Sequence, residues 1–406
     1  MTDAYRISLR SAEELAHTLD RVGSDKRSLP FFENRRDLIT LMIPSADVRA
    51  ANIIKQEMLS VGGDAAVHAH AVDCGVKDSA VLLFGTKQQI LGVAEKINTM
   101  KWWGFPKICS DIKTALAEPA KRSHSVLPCG SSLDFGGRML IMGIVNLTDD
   151  SFFAASRTGG SADTALKMAA ELASGGADIV DLGAESTRPG SSRVSEDEEK
   201  KRVAQAVRLI RREMPQIPIS IDTTRSSVAR AALEEGADII NDISGLTFDT
   251  DVAKASAEYS AMLVLMHMRG TPETMNGLCQ YSDILFEING FFEKQIAVAA
   301  SLGLDRSRII LDPGLGFAKN YEQNLYVLRH IEAFRSFGLP LLIGASRKSF
   351  IGRASHADNP SQRLEGTLAV TSLCAWLGAD IVRVHDAAAN RKAADTIAAV
   401  KEAYYV

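Results

Sequence analysis

The chain has 406 residues, 46% of them hydrophobic and 24% charged, with a formal net charge of -4 at pH 7. That length exceeds one ordinary domain and that apolar content excludes a disordered chain, so two domains are expected, and a mildly acidic balance without a Lys/Arg block speaks against nucleic-acid partners. Cys74, Cys109, Cys129, Cys279 and Cys374 form no C-x-x-C pair; they are expected to be reduced thiols of a cytoplasmic protein without a zinc knuckle, and no signal peptide or membrane span is expected.

The first part of the chain predicts a small α/β module. Helical periodicity runs from Ser11 to Val22, a strand covers Leu38 to Ile43, and an amphipathic helix covers Ala46 to Leu59. Strands follow at Ala65–His70 and Ala80–Phe84, then a helix from Lys87 to Asn98. His68 and His70 are two apart on the expected strand and so face one side, without a nearby third ligand, and they are expected at the surface. The module, residues 1–120, has no functional reading. Lys121 to Gly137 is rich in Ser, Gly, Pro and basic residues and reads as a linker.

From residue 138 onward one phrase returns: Gly-Gly-Ala-Asp-Ile-Val-Asp from Gly175, Glu-Gly-Ala-Asp-Ile-Ile-Asn from Glu235 and Leu-Gly-Ala-Asp-Ile-Val-Arg from Leu377. The glycine ends a helix, Ala-Asp turns the chain, and a β-branched run enters a strand apolar on both faces, as in a parallel sheet, each time ending in a polar residue: Asp181, Asn241 and Arg383. Eight strands are predicted: Met139–Asn146, Ile179–Gly183, Ile217–Asp222, Asp238–Asp242, Met262–His267, Arg308–Asp312, Leu339–Gly344 and Ile381–His385. Helices begin near Ser161, Ser195, Arg225, Asp249, Ser282, Tyr321, Ser361 and Ala387, the second with a capping box of Ser195 and Glu198. Eight strand-helix units in about 270 residues predict a (β/α)8 TIM barrel over 138–406, with its chemistry at the strands' carboxyl ends. Two connections there, Leu147–Gly160 and Ala184–Val194, exceed the usual loop of about 2–6 residues and read as mobile lids.

The strand ends carry Asn146, Glu185 with Thr187 and Arg188, Asp222, Asn241 with Asp242, His267, Asp312, Ser346 with Lys348, and Arg383 with His385. Asp222, Asn241 and Asp312 suit the donor and acceptor edge of a flat heterocycle, a pterin-like or purine-like ring. The alternative for Asp222 is a cap of the next helix. Arg188, Arg383 and His385 suit phosphate or pyrophosphate. Asn146 offers a neutral oxygen that could join phosphate oxygens around Mg²⁺, or else is a buried structural residue. Lys348 is placed to donate to a ring carbonyl or to compensate Asp312. His267, between two methionines, reads as a satisfied core histidine, and the direction of Arg347 is open. Asp249 with Asp251, and Glu196 to Glu199, lie at helix starts and read as dipole partners.

The motifs Met142-Gly143-Ile144-Val145-Asn146-Leu147-Thr148, Glu185-Ser186-Thr187-Arg188-Pro189-Gly190, Asp312-Pro313-Gly314-Leu315-Gly316-Phe317, Ser346-Arg347-Lys348-Ser349-Phe350-Ile351-Gly352 and Arg383-Val384-His385-Asp386 resemble the dihydropteroate synthase family. The resemblance covers the region from Met139 to the C-terminus. It implies a pterin-binding barrel of folate biosynthesis that joins 6-hydroxymethyl-7,8-dihydropterin diphosphate to 4-aminobenzoate and releases pyrophosphate with Mg²⁺. By position it puts Asp222, Asn241, Asp312 and Lys348 on the pterin, and Thr187, Arg188, Pro189 and Ser346 on aminobenzoate. Asn146, Arg383 and His385 fall on the diphosphate, with Asn146 also on the metal. Asp150, Arg188 and Lys348 are the expected catalytic residues, and a homodimer is the expected assembly. Two alternatives remain open: a methyltransferase acting on methyltetrahydrofolate with a corrinoid protein, and a noncatalytic pterin-binding protein. The first lid departs from the family pattern: Asp149 stands where the family has proline, Phe153 and Ala154 follow Phe152, and the second aspartate is missing, while Asp150 keeps the place of the first.

Overall fold

The computed structural model describes residues 12–25, 27, 29–33, 37–117, 124–147, 161–184 and 195–403. They fall into two compact units, one ending at Ala117 and the other continuing to Ala403. Among the described residues no helix is long and apolar enough to cross a membrane.

The first unit is a three-stranded antiparallel sheet of order β1-β3-β2, with β1 at Leu38–Asp47, β2 at Asp64–Val67 and β3 at Asp78–Thr86. Alternate residues of β3, Val81 and Leu83 among them, are fully buried, the period-2 pattern of a sheet covered on one face. They share a core with Ile54 and Met58 of the helix Val48–Ser60, Ile90 and Ile97 of Lys87–Ile97, and Phe105 and Ile112 of Phe105–Ala115. This last helix, like Leu29–Glu33, lies outside the elements legible in the sequence. His68 and His70 are exposed as expected but do not lie on a strand. The His68 ring instead accepts from the backbone of His70 and caps a short 3-10 turn at Ala69–Ala71, so β2 stops at Val67.

The second unit is a closed parallel barrel. Its eight strands follow the order β11-β10-β9-β8-β7-β6-β13-β12: β6 Leu140–Asn146, β7 Ile179–Gly183, β8 Ile219–Asp222, β9 Ile239–Asp242, β10 Met262–Met266, β11 Ile309–Asp312, β12 Leu342–Ile343 and β13 Ile381–Val384. A parallel bridge from Leu311 to Leu341 closes the ring. Five strands lose one residue at an end relative to their apolar runs, and two lose more, for a local reason. Pro340 has no N–H to donate, and the Leu341 amide goes to the Asp380 side chain at 2.8 Å, so β12 keeps only Leu342 and Ile343. Pro218 likewise delays β8 to Ile219.

The aspartate of the repeated phrase does more than turn the chain. Asp178 accepts from Ile141 N at 2.8 Å, Asp238 from Ile219 N at 2.9 Å and Asp380 from Leu341 N at 2.8 Å. Each ties the start of its own strand to the start of a neighbour. The expected linker is largely part of the barrel as well. Residues His124–Val126 and Ser132–Asp134 form a hairpin, β4 and β5, and its Leu127, Leu133 and Phe135 are buried against Leu140, Ile179, Ile239, Met262 and Ile381. Cys129 N and Gly136 N donate to Asp238 and Asp380 at 2.9 and 3.0 Å. The hairpin therefore plugs the amino-terminal end of the barrel. Polarity suggested a spacer because its apolar residues are few and isolated.

The helices sit outside this ring. Ser161–Ser174, Tyr321–Arg329 and Ala387–Glu402 begin where expected, whereas five others start one to three residues later: Glu196–Glu213, Ser226–Glu234, Asp251–Glu258, Ile284–Ser301 and Leu364–Leu377. A further helix, Ser349–Ser355, follows β12, and Ala387–Glu402 ends the barrel. The capping box is only half formed: Ser195 Oγ accepts from Glu198 N at 3.3 Å, but the Glu198 carboxylate turns to Arg202 Nε at 2.7 Å.

Candidate active site

At the carboxyl ends of the strands the ladder puts Asn146 beside Gly183, Gly183 beside Asp222, and Asp222 beside Asn241. Arg383, from β13, reaches across this row. Its Nε donates to Asp181 at 2.6 Å and its Nη2 to Asp222 at 2.8 Å. Asp181, in the middle of β7 and fully buried, also accepts from Ser220 Oγ at 2.6 Å and Asn241 Nδ2 at 3.4 Å. Asp181 is thus not a rim residue, as its place in the repeated phrase suggested, but the anchor beneath the rim. Its signal was a charge inside an otherwise apolar strand, which a barrel interior accepts only with a partner.

Asp222 does not cap the helix after β8. That helix's first amide, Ser226 N, goes to Asp249 at 2.8 Å, and Arg225 N goes to Thr223 Oγ1 at 3.3 Å. Asp249 therefore serves a neighbouring helix as well as its own, where it accepts from Asp251 N at 3.0 Å. Glu199 is likewise more than a dipole partner: it is 1% exposed and binds Thr223 Oγ1 at 2.8 Å and the Arg225 guanidinium, steadying the chain just past Asp222.

Across the mouth, Asp312 and Lys348 approach one another around Gly344. A Cβ on Gly344 would stand 3.7 Å from Asp312 Oδ2, 3.9 Å from Lys348 Nζ and 4.0 Å from Arg383 Cβ. Only glycine leaves that point open. Lys348 Nζ donates to Leu315 O and lies 4.6 Å from the centre of the Phe317 ring. Asp312 Oδ1 accepts from Gly314 N at 2.7 Å. Gly314 has φ +67°, and a Cβ there would come 2.1 Å from His267 O, so both its backbone and its space require glycine.

Burial shapes the charges. It pushes the Asp222 carboxyl up to about 7, with Arg383 opposing and Asp181 reinforcing the shift. Burial also raises Asp312 against the pull of Lys348, and lowers Lys348 to about 8 against the pull of Asp312. Asp242, fully buried and raised by burial to about 6, is spent on Ser244 and Leu246 backbone amides and shapes the turn after β9. His385 Nδ1 and Ser346 Oγ stand 3.0 Å apart, and His385 N donates to the same hydroxyl at 3.3 Å. Arg347 is turned to Asp386, with Nη2 to Oδ1 at 2.7 Å and Nε to Oδ2 at 3.1 Å. His267 is 2% exposed and bonded, as a core histidine should be, with Nδ1 at 3.0 Å from Lys319 Nζ. Sequence reasoning passed over Lys319, whose only signal is its place two residues after Phe317.

The structure therefore brings Asp222, Asn241 and Arg383 together in one group, joins Asp312 and Lys348 across Gly344, and pairs Ser346 with His385. Asn146 is half-buried at the end of β6. Asp150, Thr187, Arg188 and Pro189, and with them both expected lids beyond their first residues, Leu147 and Ala184, lie outside the described residues.

Residues 142–385 match the family model described as pterin binding enzyme. The dihydropteroate synthase of Synechocystis sp. is 46% identical over 261 residues, covering 64% of this chain and 90% of that protein. A crystal structure of the Xanthomonas albilineans dihydropteroate synthase with 4-aminobenzoic acid is similar at a TM-score of 0.64 and 36% identity, covering 71% of this chain and 100% of that one. The chain belongs to the pterin-binding enzyme family. Its function is that of a dihydropteroate synthase, a transferase of folate biosynthesis. A probable bifunctional folylpolyglutamate synthase/dihydropteroate synthase of Haloferax volcanii, 31% identical over 410 residues, matches 97% of this chain and 47% of its own length. That match takes in the amino-terminal module as well as the barrel.

Proposed function

We propose a division of labour at the barrel mouth for joining 6-hydroxymethyl-7,8-dihydropterin diphosphate to 4-aminobenzoate. The pterin ring lies in the slot floored by Gly183 and Gly344, its edge bonded to Asp222, Asn241 and Asp312 and its carbonyl to Lys348. The observation that carries this reading is the open point at Gly344, where a Cβ would lie 3.7 Å from Asp312 Oδ2 and 3.9 Å from Lys348 Nζ. A flat ring inserted there meets acceptors and donors that are already oriented, and leaving them unmatched in a buried site would be costly.

Arg383 and His385 face the diphosphate. Two of the five guanidinium N–H groups of Arg383 are committed to Asp181 and Asp222, and the rest of the fork suits phosphate oxygens. In the reaction the bond from the pterin methylene to the diphosphate oxygen breaks, and its electron pair leaves with the diphosphate. The aniline nitrogen of aminobenzoate then forms the new C–N bond and loses a proton. Cationic groups on the departing diphosphate lower the barrier by stabilising charge that develops as the bond breaks. Ser346 stands beside His385 and so borders both the diphosphate and the aminobenzoate sides, with Thr187, Arg188 and Pro189 completing the latter and Asp150 and Arg188 acting in the transfer.

The donor set fits Mg²⁺ sparingly held. Among the described residues no cluster of His, Cys, Asp or Glu could hold a metal, and Asn146 supplies one neutral oxygen beside Gly183. Such a site suits an ion that keeps waters and takes substrate phosphate oxygens. When bound it would neutralise the leaving diphosphate, with Asn146 as the protein's contribution.

The test is a pair of variants read by calorimetry. Asp312→Asn should abolish binding of 6-hydroxymethylpterin. His385→Ala should leave that affinity intact while weakening the pterin diphosphate. Equal effects of both variants on both ligands would overturn the division.

A further inference from the structure

Among the described residues one buried lysine has no part in the chemistry above. Lys319 is 7% exposed, and its ammonium has three partners: Gly314 O at 3.0 Å, Phe317 O at 3.1 Å and His267 Nδ1 at 3.0 Å. An ammonium has three N–H donors, so all are used. Burying that charge is costly in itself, and burial drives Lys319 down to about 7. His267, held well below its usual range by burial and by Lys319, is neutral and can accept on Nδ1.

The loop that Lys319 grips is the one against which Lys348 rests. Every turn of it is bonded to a side chain: Gly314 N to Asp312 at 2.7 Å, Gly316 N to Asn324 at 2.6 Å, and Ala318 O to Tyr281 Oη at 2.9 Å. Lys348 meets the same loop, donating to Leu315 O and lying over the Phe317 ring. Lys319 fixes the carbonyls on either side of those two contacts. Its own carbonyl accepts from Asn324 Nδ2 at 3.0 Å, which ties the lysine's backbone into the same network.

We infer that Lys319 is a positioning residue for the pterin site: by holding the Gly314 and Phe317 carbonyls it sets the Leu315 carbonyl and Phe317 ring that aim Lys348 into the slot. The inference rests on the reading that Lys348 meets the pterin. It assigns Lys319 no contact with substrate, and it predicts an effect transmitted through one named side chain.

The experiment is a double-mutant cycle on the full chain, with binding of 6-hydroxymethylpterin measured by calorimetry. Lys319→Met should weaken that binding roughly tenfold, within the range for coupled neighbours, and in a Lys348→Met background the same change should alter it by less than about threefold. Equal losses in both backgrounds would mark Lys319 as a general structural residue and overturn the inference, as would unchanged affinity for Lys319→Met. If Lys348→Met alone leaves pterin affinity unchanged, the underlying reading of Lys348 fails instead, and the inference falls with it. Lys319→Gln, which keeps two N–H donors, carries the same cycle if the methionine variant does not fold. Failure of both to fold would make Lys319 a folding residue and refute the positioning role.

Discussion

Replacing Asp181 with alanine would remove the anchor of Arg383 without touching the mouth of the barrel. Asp181 is fully buried and takes Arg383 Nε and Ser220 Oγ, each at 2.6 Å, with Asn241 Nδ2 at 3.4 Å. Removing one partner of a buried ion pair costs about 3–5 kcal/mol. The lower figure applies here, because Arg383 keeps Asp222 at 2.8 Å. At about 2–4 °C per kcal/mol for a domain of 150–250 residues, a loss of about 3 kcal/mol lowers the thermal midpoint by about 6–12 °C. Activity should fall further than the loss of folded protein explains, since the untethered guanidinium would have only Asp222, a group the pterin also needs. Scanning calorimetry would give the midpoint, and pyrophosphate release at a temperature where the variant is fully folded would give the rate. A midpoint within about 2 °C of the parent, with kcat/KM for the pterin diphosphate unchanged, would show that Arg383 does not depend on Asp181.

Three other outcomes are expected. Because Asp222 is raised to about 7 and must be ionised to accept from the pterin, and Lys348 is lowered to about 8 and must be charged to donate, kcat/KM for the pterin substrate should fall as pH drops below about 7 and again as it rises above about 8. A profile flat from pH 6 to 9 would contradict these assignments. Gly344→Ala should leave the thermal midpoint nearly unchanged, since its nearest neighbours would be at 3.7 Å, yet weaken pterin binding; Gly314→Ala, whose Cβ would meet His267 O at 2.1 Å, should destabilise the fold. Thermal scans alongside pterin calorimetry would separate the two effects. Chelation of Mg²⁺ should slow pyrophosphate release and added Mg²⁺ restore it, and Asn146→Ala should raise the Mg²⁺ concentration needed for half-maximal rate.

Much of the barrel was legible because its strands are buried on both faces and announce themselves as β-branched runs ended by polar residues. The thrice-repeated phrase marked helix ends and strand starts within a residue or two. That Asp222, Asn241, Asp312, Lys348 and Arg383 would gather near the strands' carboxyl ends was legible for the same reason, each being a polar residue at or past the end of such a run. What stayed hidden depends on contacts distant in sequence. The hairpin at His124–Asp134 looks like a linker until its Leu127, Leu133 and Phe135 are seen against the barrel floor. Asp181 looked like a strand end because nothing local reveals that Arg383, 202 positions away, bonds it inside the barrel. Lys319 is hidden in the same way: a lysine in a polar loop reads as solvated, and only the three acceptors gathered around it show otherwise.

Pyrophosphate release from the purified protein, given the pterin diphosphate and Mg²⁺ with and without 4-aminobenzoate, decides whether the barrel mouth carries out the transfer. Release should depend on aminobenzoate, with dihydropteroate formed in equal amount. Pterin binding without pyrophosphate release or dihydropteroate under either condition would contradict it.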